Sequence, residues 1–191
     1  MAAWIEMLPL EGAEGDLALA YAAARTPHGT VDNVMRAHSL RPHTMLGHMA
    51  LYKSVLHHPA NTLPLWFLEV VAAVVSHANA CAYSYGHHWT NARRLIADPP
   101  RAAAIEAAIK ARRLGDAFAG RELALLAYAE RLTVDVAGID EATFRACVDA
   151  GASHGEILEV NQVTAYFNYS NRLLNGLGVT TEGDRLGYYD E

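Results

Sequence analysis

LWFLEVVAAVV, residues 65–75, decides the fold class of this chain. Ten of its eleven residues are apolar, and the exception is Glu69. A helix that is apolar on every side belongs in the centre of a domain. The run is well short of the roughly 18 apolar residues that span a bilayer. The apolar stretch extends over Leu63–Ala78, and Cys81 to Ile96 reads as the next helix, stopped by Asp98-Pro99-Pro100. Working outward, further helices are expected at Leu17–Arg25, at Asp32–Ser39 with Asp32 as cap, and from Pro42 to Leu56. Later ones are expected over Arg101–Arg113, Gly120–Thr133, Glu141–Ala150 and Gly155–Asn175. Asp140 and Ser153 suit the N-caps of the last two, and Asn175-Gly176 with Gly178 suits a helix stop. No alternating β-branched run stands out. The expectation is an all-α bundle of about eight helices in one domain over residues 1–191. Its tail, 180–191, either frays or docks on a neighbouring subunit.

Composition narrows the function classes. The 191 residues are 52% hydrophobic and 19% charged, which excludes a disordered chain. A net charge of −6 argues against nucleic acid, whose binders need a basic face. Met1–Leu10 carries Glu6 and lacks a basic start, so no secretory leader or membrane partner is expected. Two cysteines, Cys81 and Cys147, fit a reducing cytoplasm rather than a disulfide scaffold.

Four residues carry the candidate chemistry: Glu69, Cys81, Ser84 and His88. On a helix starting near Cys81, Ser84 lies roughly 60° and His88 roughly 20° from it, so the three share a face. Ser84 and His88 are spaced for a hydroxyl–imidazole hydrogen bond. Cys81 falls in the first turn, where unpaired N–H groups lower a thiol pKa. Glu69 needs a partner, because an unpaired buried carboxylate is costly. A break near Asn79 would bring Glu69 and His88 together at a corner; otherwise an arginine such as Arg172, or one of Arg93-Arg94 and Arg112-Arg113, would have to serve. Each residue also has an ordinary reading as a packed thiol, a helix-start serine, a satisfied histidine or a structural ion pair.

The segment EVVAAVVSHANACAYSYGHH, 69–88, resembles the core motif of the carboxymuconolactone decarboxylase and alkyl hydroperoxidase D superfamily: Glu, eleven residues, Cys, two residues, Cys, three residues, His. The spacing is kept, with Ser84 at the second cysteine. VTAYFNYSNRLLNGLGV, 163–179, is similar to the peroxidase-related branch. The likeness covers 63–95 strongly and the last helix moderately. It implies a self-associating AhpD-like bundle in which Cys81 is the resolving position, Ser84 the attacking position, and Glu69 and His88 a proton relay. No cofactor is implied.

A serine cannot form a sulfenic acid or a disulfide, which leaves three readings. One is hydroperoxide reduction through the single thiol of Cys81 with an external thiol reductant. Another is acid–base chemistry on a small carbonyl or lactone acid by His88 and Glu69. The third is an oligomeric binder that has lost its chemistry. Cys147 lies on another helix and is a weak substitute for the missing thiol. His38, His43 and His48 recur every five residues, about 140° apart on a straight helix, so no metal site is expected. His77 and His87 are candidates to line the pocket.

Overall fold

The computed structural model describes residues 1–189, and among them only helices and turns occur. Nine α-helices follow in order: α1 (Gly15–Ala23), α2 (Asn33–Arg36), α3 (Pro42–Leu56), α4 (Leu65–Ala78), α5 (Ala82–Ile96), α6 (Pro99–Ala111), α7 (Gly120–Val134), α8 (Glu141–Asp149) and α9 (His154–Leu177). Short 3-10 turns, Leu114–Asp116 and Val136–Gly138, flank α7. No described helix is long and apolar enough to cross a membrane.

α4 is the axis. Every residue from Phe67 to Ser76 is buried, as a helix apolar all round requires. It packs most extensively against α5, then against α9 and α7. The α4–α5 corner is a Schellman turn: the Cys81 N–H bonds to the Ser76 carbonyl at 2.9 Å and the Ala80 N–H to that of His77 at 3.0 Å. Asn79 is the last helical-side residue. Ala80, with φ 52°, takes the left-handed conformation.

Three expected boundaries hold for the reasons given. Asp140 accepts from the Thr143 amide at 2.8 Å, Ser153 and Glu156 close a capping box, and Gly178 ends α9 at φ 62°. That glycine is needed twice over, because a Cβ there would lie 2.3 Å from the Trp4 ring. Two expectations change. Asp98-Pro99-Pro100 starts α6 as well as stopping α5: Asp98 caps the Arg101 amide at 3.1 Å, with both prolines in the first turn, where a missing N–H costs nothing. Asp32 makes no capping bond, and α2 is a single turn, because the Asp32 carboxylate accepts instead from the Tyr188 hydroxyl at 2.7 Å.

That bond belongs to a strap. Residues 180–189 run back over their own chain rather than away from it. Asp184 accepts from the Asn33 amide at 3.0 Å and from the Tyr83 hydroxyl at 2.5 Å, and the Tyr188 amide donates to Asn91 Oδ1 at 2.8 Å. The last two residues of the tail considered from sequence, 190 and 191, lie outside the described residues.

Candidate active site

The corner at Ala80 folds α5 against α4 and brings His88 to Glu69. His88 Nδ1 and Glu69 Oε2 are 2.6 Å apart, and Asn91 Nδ2 donates to Glu69 Oε1 at 3.1 Å. Glu69 is 0% exposed, so its partners are protein groups: a histidine and an asparagine, with no arginine. Of the arginines considered from sequence, Arg172 turns to Asn168, Arg112 to Glu130 and Arg113 to Asp116. Phe167 of α9 meets the His88 ring edge-on, centroids 4.5 Å apart, and fixes its plane. With Nδ1–H given to the carboxylate, the lone pair of Nε2 is the free one, which is the orientation of a general base.

Ser84 and His88 line one small cavity of about 30 Å³. Ser84 does not bond to His88. Its oxygen accepts from the Ser76 hydroxyl at 2.8 Å, and Ser76 in turn meets Asn171 of α9. Cys81 stands apart. It borders a separate shallow pocket with Ser76, His77 and Tyr85. The expected face is therefore divided, with Ser84 at the division.

The expected low thiol pKa of Cys81 is overturned. Burial pushes the thiol upward. The amides of Tyr83 and Ser84 face the sulfur and oppose the shift, without closing a capping hydrogen bond. The sulfur does sit at the helix start, but Cys81 is 1% exposed and belongs to an apolar cluster with Ala3, Ala37, Leu174 and Val179. Cys147 is buried in the core around α4, its thiol facing the Ala124 carbonyl of α7 at 3.5 Å. Both cysteines are free.

Sequence reasoning missed the rest of the cavity wall, notably Tyr52, Tyr166 and Tyr188. Tyr52 carries a buried hydroxyl with no hydrogen-bond partner, and burial raises its pKa far above the usual tyrosine range. His87 also lines the cavity, as considered. It stacks on Tyr83 at 4.8 Å, and neither ring nitrogen has a hydrogen-bond partner. The Asp184 carboxylate lies 3.7 Å from His87 Nε2. His77 borders the outer pocket with Cys81 instead.

Behind Tyr166 runs a hydrogen-bond chain whose direction one backbone carbonyl sets. The Thr44 hydroxyl donates to the Arg41 carbonyl at 2.8 Å, so its oxygen must accept from His38 Nδ1, also at 2.8 Å. His38 Nε2 then accepts from His48 Nδ1 at 3.1 Å. His48 Nε2 accepts from the Tyr166 hydroxyl at 2.7 Å. Tyr166 thus spends its proton inside the wall, and its oxygen can act only as an acceptor, with the Ser170 side chain as one neighbour. Burial keeps both histidines neutral: His38 is lowered, and His48, with His38 beside it, falls to about 4. The straight-helix spacing of these histidines hid the chain, because α3 begins only at Pro42 and leaves His38 free to fold down onto His48. Among the described residues no three His, Cys, Asp or Glu side chains are grouped to hold a metal.

No family model matches the chain, and no curated protein matches it in sequence. Solved structures do. An uncharacterised peroxidase-related protein from Ralstonia eutropha JMP134, described as an alkylhydroperoxidase AhpD core, superposes with a TM-score of 0.82 at 21% identity, over 96% of this chain and 94% of that one. An uncharacterised peroxidase-related protein from Silicibacter sp. TM1040 gives 0.80 at 22%, over 96% and 93%. The apo debrominase Bmp8 gives 0.73 at 18%, over 96% and 92%.

Proposed function

We propose that this chain uses the AhpD-like all-α fold, which it has in common with those structures, for proton-transfer catalysis on a small carbonyl or lactone acid, with His88 as the general base and Glu69 as the group that orients it. The observation that carries the reading is the buried 2.6 Å contact between His88 Nδ1 and Glu69, which leaves Nε2 free on a ring that lines the cavity. His88 Nε2 takes a proton from the carbon next to the carbonyl. The electron pair moves onto the carbonyl oxygen, and the Tyr52 hydroxyl, held protonated by burial, donates to that oxygen. Tyr166 accepts from a donor group on the substrate, and His88 returns the proton. The test is loss of α-proton NMR signal into deuterium oxide across a panel of keto acids and lactones. At least one member should exchange faster with protein, and His88→Gln should lower that rate about a hundredfold or more. Equal rates for the two proteins across the panel refute the reading.

A second reading is single-thiol hydroperoxide reduction. It is favoured by the helix-start amides that face the Cys81 sulfur and by the peroxidase-related names of the structural neighbours. Cys81 attacks the hydroperoxide, releasing an alcohol and leaving a sulfenic acid. One external thiol displaces water from it to form a mixed disulfide, and a second thiol releases Cys81. In excess dithiothreitol this activity disappears in Cys81→Ala. Ser84→Cys, which restores a dithiol, raises it.

A further inference from the structure

Resting on the proton-transfer reading, we infer that the groove outside the cavity is the binding site for the body of the substrate, and that this body is apolar and anionic. Size makes the first part of the case. A cavity of about 30 Å³ holds a group of one or two heavy atoms, not an organic molecule. Next to it lies a groove of about 680 Å³ between α3, the α1–α2 loop and the strap. That is the volume of a small-molecule site. Met35, Tyr52 and Tyr188 line both spaces, so these three side chains are the partition between groove and His88. A substrate lying in the groove reaches the base only by passing its reacting group between them. Tyr52 is built for that crossing: its ring stands 4.8 Å from His57 on the groove side and 6.3 Å from His88 on the other, and its hydroxyl has no protein partner.

Charge makes the second part. The chain carries 21 acidic against 15 basic residues, yet the groove reverses the balance. Arg25 and Lys53 border it and both are exposed, and no carboxylate is among its described lining residues. Arg25 gives one nitrogen to the Gly29 carbonyl at 2.7 Å and keeps its remaining donors. His58 accepts the Ala60 amide at Nδ1, which places its hydrogen on Nε2 as a further donor at the rim. The floor is apolar and aromatic, with Met49 and Tyr189 joining the partition residues. The matching ligand has a hydrocarbon or aryl body, one anionic end at Arg25 and Lys53, and a compact reactive group at the other end.

The probes are octanoate, octan-1-ol and octylamine, which share a chain and differ in charge. The readout is ¹³C-methyl NMR of the five methionines, of which Met35 and Met49 line the groove and Met1, Met7 and Met45 do not. Octanoate should shift Met35 and Met49 selectively and bind more tightly than octylamine. Lys53→Gln and Arg25→Gln should each weaken octanoate about threefold, leave octan-1-ol unchanged and reduce the salt dependence. Equal binding of the three probes, insensitivity to both substitutions, or shifts confined to other methionines overturn the inference. So does a Met35 and Met49 shift driven by protein concentration alone, which would make the groove an interface between copies. His88→Gln should bind octanoate normally. Failure of exchange catalysis with intact octanoate binding would strike the proton-transfer reading and leave the site standing.

Discussion

Removing one member of the Glu69–His88 pair should cost far more than removing both. Glu69 is wholly inside, with each oxygen held by one donor. His88→Leu leaves Oε2 without a donor in the core, and breaking a buried pair in this way costs about 3–5 kcal/mol. Glu69→Leu leaves two donors unpaired, His88 Nδ1–H and the Asn91 amide, at about 1–3 kcal/mol each. The double leucine variant orphans only the Asn91 donor and fills the space with apolar atoms, so its loss should be about 1–3 kcal/mol. The single losses sum to about 5–11 kcal/mol, so the coupling should be at least about 2 kcal/mol and favourable to the double variant. Urea unfolding of the four proteins, with the m-values compared, measures it. A small domain has about 5–15 kcal/mol in total, so His88→Leu can fall below the folding threshold. His88→Gln covers that outcome, because its side-chain amide can still donate to Glu69, and it should keep roughly half of the lost stability. Additive losses within about 0.5 kcal/mol, or a His88→Leu cost below about 1 kcal/mol, refute the argument that burial makes the pair obligatory.

The chain through His48 predicts an acid limb. Its folded pKa of about 4 lies below its ordinary 6.5, so the unfolded chain binds the proton first and stability falls as pH drops from about 6.5 to about 4. The fall should be about 3 kcal/mol, and His48→Phe should flatten that part of the urea-midpoint profile whatever it does to stability at pH 7. Cys81 should react with iodoacetamide more slowly than a free thiol at every pH from 7 to 9, and labelling at the free-thiol rate would contradict its burial. Ala80→Gly should stabilise the protein by about 1 kcal/mol, since the residue is exposed and held at φ 52°; an unchanged midpoint would show that the corner carries no left-handed strain.

The core was legible because its signal is local. An eleven-residue apolar run can only be a central helix, and a carboxylate inside it must find a partner, which the i, i+19 return of His88 supplies. The break at the corner was legible for a similar reason, though the left-handed residue is Ala80, one past the asparagine that sequence preference favours. What sequence could not give is what arrives from far along the chain. Cys81 occupies the helix start that favours a thiolate, yet it is buried in an apolar cluster that Ala3 and Val179, brought in by the paired chain ends, help to make. Asp32 has the composition of a cap and becomes the acceptor for a tyrosine 156 positions later. Tyr166 is a packing residue by pattern and becomes the end of a hydrogen-bond chain only because His48, 118 positions earlier, stands behind it.

The strap has a consequence for how the protein is made. A ribosome that has released residues as far as Gly178 has delivered all nine helices and both halves of the Glu69–His88 pair. The partition at Tyr188 does not yet exist, and the bonds that hold it span 97 to 156 positions of chain. Until residues 188 and 189 arrive, the cavity beside His88 and the groove along α3 each lack the side of the wall that the strap supplies. What closes the cavity is thus not a helix but a short run of loop residues made after the helices they cover.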